Sequence, residues 1–68
     1  NQRANRRRIH AAEEALDRYA RIKGSMQDCR EDQLIDLMTD IRHLAEKEGI
    51  DFGDLIRISD IHYSEEKA

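Results

Sequence analysis

The sequence predicts an all-α fold of three helices. Two glycines, Gly24 and Gly49, divide the 68 residues into three segments. In each segment apolar residues recur at steps of three and four, the spacing of one face of an α-helix. No run of β-branched residues alternates with polar ones, so no strand is predicted. We therefore expect one domain over residues 1–68, in which the first two helices form an antiparallel helical hairpin and the third folds back after Gly49.

The first helix is predicted over about residues 3–23. Alanines add helix propensity without bulk. Two cations, Arg21 and Lys23, precede Gly24, which is typical of a helix C-terminus. The positions of its single stripe are Ile9, Ala12, Leu16, Tyr19 and either Ile22 or Lys23.

The second helix is predicted over about residues 28–48 and has the clearest amphipathic pattern in the chain. Gly49 ends it. Its apolar positions are Leu34, Leu37, Met38, Ile41, Leu44 and Ala45. This spacing is typical of a helix that buries one side against a neighbouring helix.

The third helix is predicted over about residues 52–66, with Asp51 as its N-cap and Asp54 in its first turn. Its apolar positions are Leu55, Ile56, Ile58, Ile61 and Tyr63. These positions cover more than one stripe, and a helix that is apolar on two sides needs two partners. A chain this short also has a small core. We therefore expect a homodimer in which the second partner is another subunit.

Composition excludes several classes of protein. Charged residues make up 40% of the chain and hydrophobic residues 38%, which is too apolar and too periodic for a disordered tail. No apolar run is long enough for a membrane span, and no signal peptide is expected. The single cysteine, Cys29, has no intrachain partner, which favours a reducing compartment and predicts a cytoplasmic protein.

The sequence also contains little that predicts catalysis or a cofactor. One cysteine and three scattered histidines do not make the ligand set of a structural zinc site, and no glycine-rich phosphate loop is present. His43 with Asp40 or Glu46 has the composition of a base and an orienting carboxylate. It lacks a nucleophile and an oxyanion hole, so we expect a non-enzymatic protein without metal or cofactor.

Charge is distributed unevenly along the chain. Residues 1–23 hold seven cations and three acids, whereas residues 24–68 hold five cations and twelve acids. Within the acidic part, aspartates recur every fourth residue, so a helix would place them in one stripe that His43 continues. These aspartates are Asp28, Asp32, Asp36 and Asp40.

Like charges at this spacing repel, so the stripe favours a cationic counterpart. One interpretation is pairing with Arg18, Arg21 or the cluster Arg6–Arg8, within the chain or across a dimer. The other is contact with a basic patch on a partner protein. The leading functional prediction is thus a protein-interaction module that binds a host protein through this acidic helix face and the third helix. Its predicted partner-binding residues are Asp32, Asp36, Asp40, His43, Ile58, Ile61 and Tyr63.

The alternative function is a small dimeric nucleic-acid-binding regulator that uses the basic start of the chain. Four arginines precede the first acid, and arginines on a helix can neutralise phosphates. A net charge of −3 and the lack of interleaved aromatic residues weigh against it. The other interpretation of this cluster is a solvated or protein-paired helix start. The four residues are Arg3, Arg6, Arg7 and Arg8.

The stretch Leu34–Glu66 resembles the C-terminal half of a family of small uncharacterised helical proteins of bacteria, phages and other mobile elements. The family pattern is a DLLTDLRHL helix, a GLDF turn and a helix that ends in HY followed by acids. The matching residues here are Asp36–Leu44, Gly49–Phe52, His62 and Tyr63, and the preceding Ala15–Gly24 also fits. The resemblance implies no activity. The setting of the family suggests an accessory role, such as an inhibitor or adaptor that acts on a host protein.

Overall fold

The computed structural model describes residues 1–67. Three α-helices make up most of this part of the chain: α1 at Gln2–Lys23, α2 at Arg30–Lys47 and α3 at Phe52–Lys67. No strand occurs in residues 1–67. The predicted all-α, three-helix fold is confirmed.

Both ends of α1 are capped by local hydrogen bonds. At the start, the Ala4 amide donates to Asn1 Oδ1 at 2.9 Å. At the end, Gly24 has φ 71°, and the Ser25 amide donates to the Ala20 carbonyl at 2.9 Å. A side chain in this left-handed conformation costs about 1–2 kcal/mol, which explains the glycine that ends the helix.

The second helix begins at Arg30, two residues later than the sequence suggested. Asp28 therefore lies in the connection before α2, and three aspartates rather than four share the helix. Cys29 occupies the N-cap position without a side-chain capping bond. Gly49 ends α2 as Gly24 ends α1, with φ 71°.

The third helix starts at the predicted cap, where the Asp54 amide donates to Asp51 Oδ1 at 3.0 Å. Phe52 is half-buried, and the Arg42 guanidinium lies 5.7 Å from the centre of its ring. This cation–π contact fixes the start of α3 against α2.

A buried glutamine holds the connection between α1 and α2. The Gln33 side chain is 3% exposed, and its amide donates to the Ser25 carbonyl at 2.8 Å. Its Oε1 accepts a hydrogen bond from Arg30 at 3.0 Å, and Arg30 forms an ion pair with Asp17 at 2.8 Å. The connection is therefore fixed by polar contacts.

The apolar core of the chain is small. In residues 1–67 the buried hydrophobic residues are Leu16, Ala20 and Ala45. Ile9 and Ile22, which belong to the predicted stripe of α1, are 59% and 71% exposed. Of the predicted stripe only Leu16 is fully buried, so α1 turns little of its apolar face to the rest of the chain.

The far end of α1 meets the end of α3 through polar side chains. Asn5 Nδ2 donates to the Glu66 carbonyl at 3.0 Å, and Arg8 Nε lies 3.2 Å from Glu66 Oε1. The arrangement is open, since the Cα radius of gyration is 13.5 Å, whereas about 11 Å is expected for a compact chain of this length.

Candidate functional site

The acidic row on α2 contains two free carboxylates and one that is engaged. Asp32 and Asp36 are exposed and form no ion pair within residues 1–67. His43 is exposed on the same side of the helix, by helical register. Asp40 is half-buried.

Asp40 binds α1 and is not free for a partner. Its Oδ2 accepts a hydrogen bond from the Tyr19 hydroxyl and lies 3.0 Å from Lys23 Nζ. The Lys23 ammonium is also 5.9 Å from the centre of the Tyr19 ring. The intrachain counterpart of the row is thus this tyrosine–lysine pair, in place of Arg18, Arg21 or the cluster Arg6–Arg8.

These contacts shift the pKa values of all three groups. The hydrogen bonds from Tyr19 and Lys23 lower the pKa of Asp40 below its usual value. The hydrogen bond to Asp40 raises the pKa of Tyr19, and the same carboxylate raises the pKa of Lys23. Each shift favours the ionisation state in which the contact is made.

The contact between Tyr19, Lys23 and Asp40 is expected to make stability depend on pH at both extremes. A lowered pKa at Asp40 means that its contribution is present above the unfolded pKa and is lost as pH falls through the lower folded value. Raised pKa values at Tyr19 and Lys23 mean that their contribution is lost as pH rises through the folded values. The difference in urea midpoint between wild type and Asp40→Asn should therefore be largest near neutral pH and shrink below about pH 4.

The matched control for this measurement is Asp32→Asn, which removes an exposed carboxylate of the same helix that takes no part in this contact. We expect its midpoint to follow wild type from pH 3 to pH 9 in about the same way. A pH-independent difference for Asp40→Asn would show that the carboxylate charge does not stabilise the contact.

The apolar residues predicted to bind a partner are exposed. Ile58, Ile61 and Tyr63 are 44%, 48% and 62% exposed. Tyr63 lines a groove of about 390 Å³ between α1 and α3, together with Ile9 and Ala12. We call this the α1–α3 groove.

A second groove, of about 330 Å³, lies between α2 and α3. Its floor is Ala45, and its aliphatic walls are Ile41, Leu44, Ile50 and Leu55. We call it the α2–α3 groove. The sequence predicted that its α2 residues are buried; Ala45 is buried, whereas Ile41 and Leu44 are 37% and 56% exposed.

The N-terminal arginines separate into two groups. Arg3, Arg6 and Arg7 converge with His10 on one exposed side of α1 and form no ion pair within the part described. Arg8 points to α3 and pairs with Glu66. Three of the four predicted phosphate-binding residues therefore form one basic patch.

Neither a metal centre nor a membrane span is found in the part of the chain that the structure describes. No group of three or more potential metal-ligating side chains comes together there. No helix there has the length and apolarity to cross a bilayer.

Fold and surfaces together define a small all-α protein with two open apolar grooves and separate acidic and basic surfaces. No protein-family model, curated protein or solved structure matches the chain. The family resemblance carried by Leu34–Glu66 thus stays a prediction.

Proposed function

We propose that this protein is a non-enzymatic protein-interaction module. The observation that carries the proposal is the amount of large apolar side chain left in contact with solvent. Scattered single apolar residues are normal on a protein surface, whereas contiguous ones mark a binding surface. Contiguous exposed apolar side chains line both grooves: Ile9 and Tyr63 in the α1–α3 groove, and Ile41, Leu44, Ile50 and Leu55 in the α2–α3 groove.

The acidic row supplies the polar part of the proposed contact. Asp32 and Asp36 are one turn apart on α2, both are exposed, and neither forms an ion pair within residues 1–67, so the two like charges repel each other. A basic patch on a partner would relieve this repulsion and would also orient the encounter. The proposed partner is therefore a protein with exposed lysines or arginines next to an apolar surface.

The biological setting of the proposal comes from the family resemblance. It makes the module an accessory regulator or inhibitor of phage or mobile-element type that acts on a host protein. The proposed compartment is the cytoplasm, supported by the exposed free thiol of Cys29, which a reducing environment preserves.

Nucleic-acid binding is the second candidate function, because Arg3, Arg6 and Arg7 converge on one side of α1 with His10. Each arginine that neutralises a phosphate makes binding more dependent on salt. Arg8 contributes little to this patch, since it is paired with Glu66.

Capture from a bacterial host lysate, with and without nuclease, tests both candidates. We expect one stoichiometric protein that survives nuclease, and its recovery should fall about tenfold or more for Asp32→Lys/Asp36→Lys, since close charge pairs at interfaces contribute strongly. The matched control is Glu13→Lys/Asp60→Lys, which changes net charge equally at exposed acids that form no ion pair in residues 1–67.

Two results contradict the leading proposal. Equal recovery for both double variants would show that the acidic row is not the contact. Recovery that disappears with nuclease, falls steeply with salt and is lost in Arg3→Gln/Arg6→Gln/Arg7→Gln would establish the nucleic-acid function instead.

A further inference from the structure

We infer that the α2–α3 groove is covered by α3 of a second copy of this chain. The inference rests on the proposed function, since it names the occupant of part of the exposed apolar surface. It leaves the acidic row of each copy free for a different partner. The first argument is the area that the chain exposes.

The accessible surface of the chain is 5,759 Å². A folded monomer of 8.0 kDa is expected to expose about 4,450 Å². Each chain thus exposes about 1,300 Å² in excess, and two chains about 2,600 Å², a value in the range buried by obligate homodimers. One contact between two copies is sufficient to remove the excess.

The second argument is the shape of the groove. Ala45 is 4% exposed and forms the floor, between walls of large aliphatic side chains. A small residue between large ones accepts the apolar ridge of another helix. Such a ridge is present on the chain itself, because Ile58 and Ile61 continue from Leu55 at steps of three and are exposed. A two-fold axis would place the ridge of each copy in the groove of the other.

The third argument is the position of charge. Asp32 is nine residues before Ile41 on the same helix, which places it on the opposite side of α2 at about 3.6 residues per turn. A two-fold contact through the groove therefore keeps the two acidic rows apart. It joins the aliphatic residues of the groove without bringing these like charges together, and the carboxylate that does line the groove, Glu48, is exposed.

Sedimentation equilibrium between 1 and 100 µM tests the inference on the untagged full chain. We expect a mass of twice 8.0 kDa for wild type. Ile41→Glu should raise the dissociation constant about 100-fold or more, since symmetry buries two unpaired carboxylates in the contact. The matched control is Ile35→Glu on the same helix, which is 55% exposed and lines neither groove. It should change the dissociation constant less than about threefold.

Thermal unfolding of the wild type provides a test that does not depend on a folded variant. A homodimer predicts a melting temperature that rises with protein concentration over the same range. A mass of 8.0 kDa at 100 µM with a constant melting temperature would overturn the inference. A dimer that Ile35→Glu weakens as much as Ile41→Glu would also overturn it, because the contact would then lie elsewhere.

The two proposals fail separately. If the protein is a monomer and still captures a protein through Asp32 and Asp36, the dimer inference is wrong and the proposed function is supported. If the protein is a dimer that Ile41→Glu weakens but it captures no protein, the dimer inference is supported and the proposed contact through the acidic row is wrong.

Discussion

Leu16→Ala is expected to lower the free energy of unfolding by about 2–4 kcal/mol, the usual cost of truncating a buried leucine. Leu16 is 4% exposed and is the only large aliphatic side chain buried in residues 1–67, since the other two buried hydrophobic residues are alanines. Its removal leaves Ala20 and Ala45 as the buried hydrophobic residues and Leu37 as a large aliphatic side chain that is only half-buried. The expected loss is a large part of the stability of so small a domain.

Urea denaturation followed by helical circular dichroism measures this loss. All variants must be compared at one protein concentration, because self-association would raise apparent stability. The control is Ile22→Ala on the same helix, where the side chain is 71% exposed. We expect a change within about 0.5 kcal/mol for this control. Similar losses for both variants would show that Leu16 is not the anchor of the core.

Gln33→Met is expected to lower the free energy of unfolding by about 1–3 kcal/mol. Methionine matches glutamine in length and helix propensity, so the substitution tests the polar contacts. It removes the Gln33 donor at 2.8 Å from the Ser25 carbonyl, which keeps only the Asp28 amide at 3.1 Å, and it leaves Arg30 without its acceptor at 3.0 Å. The connection between α1 and α2 should loosen as a result.

Hydrogen exchange at the amides of residues 24–29 provides the specific readout for Gln33→Met. We expect these amides to exchange faster in Gln33→Met than in the wild type. The increase should be larger than any increase at the end of α3, which serves as the reference region. The control is Gln27→Met, which makes the same substitution at an exposed position in the connection. If both variants exchange alike, the amide of Gln33 does not hold the connection.

The helices were predictable because their signals are local. Gly24 and Gly49 both adopt φ 71° at helix ends, and Asp51 caps α3 where the sequence placed the cap. Capping and left-handed glycine conformations depend on a few neighbouring residues, so they can be identified without knowing the packing. The start of α2 differed by two residues, because the N-cap is Cys29, which makes no side-chain capping bond and so gives no capping signal in the sequence.

The candidate surfaces were predictable in part. Spacing identified the row of Asp32, Asp36 and Asp40 and the exposure of α3 on a second side. It did not identify Tyr19 and Lys23 as the partners of Asp40, since that contact joins residues 17 and 21 positions apart. The sequence pattern predicts Tyr19 as an apolar anchor of α1, whereas in the structure its hydroxyl donates a hydrogen bond to Asp40.

Buried polar contacts gave no sequence signal at all. Gln33 reads as one more polar residue of a surface helix, yet it is 3% exposed. Nothing in its neighbours indicates that the Ser25 carbonyl lies within reach. A glutamine acquires such a role only when the connection folds back over the first turn of the helix.

By itself the sequence determined the class of fold, the three helices with all their ends except the start of α2, and the separation of basic and acidic segments. These properties follow from periodicity, capping and composition, which act over a few residues. The tertiary structure alone decided which charges pair and which apolar residues stay exposed. Both depend on the angles between helices, and those angles are set by contacts between distant residues such as Asn5 and Glu66. An amphipathic pattern therefore predicted that α2 has an apolar face, but not that this face would form the wall of an open groove.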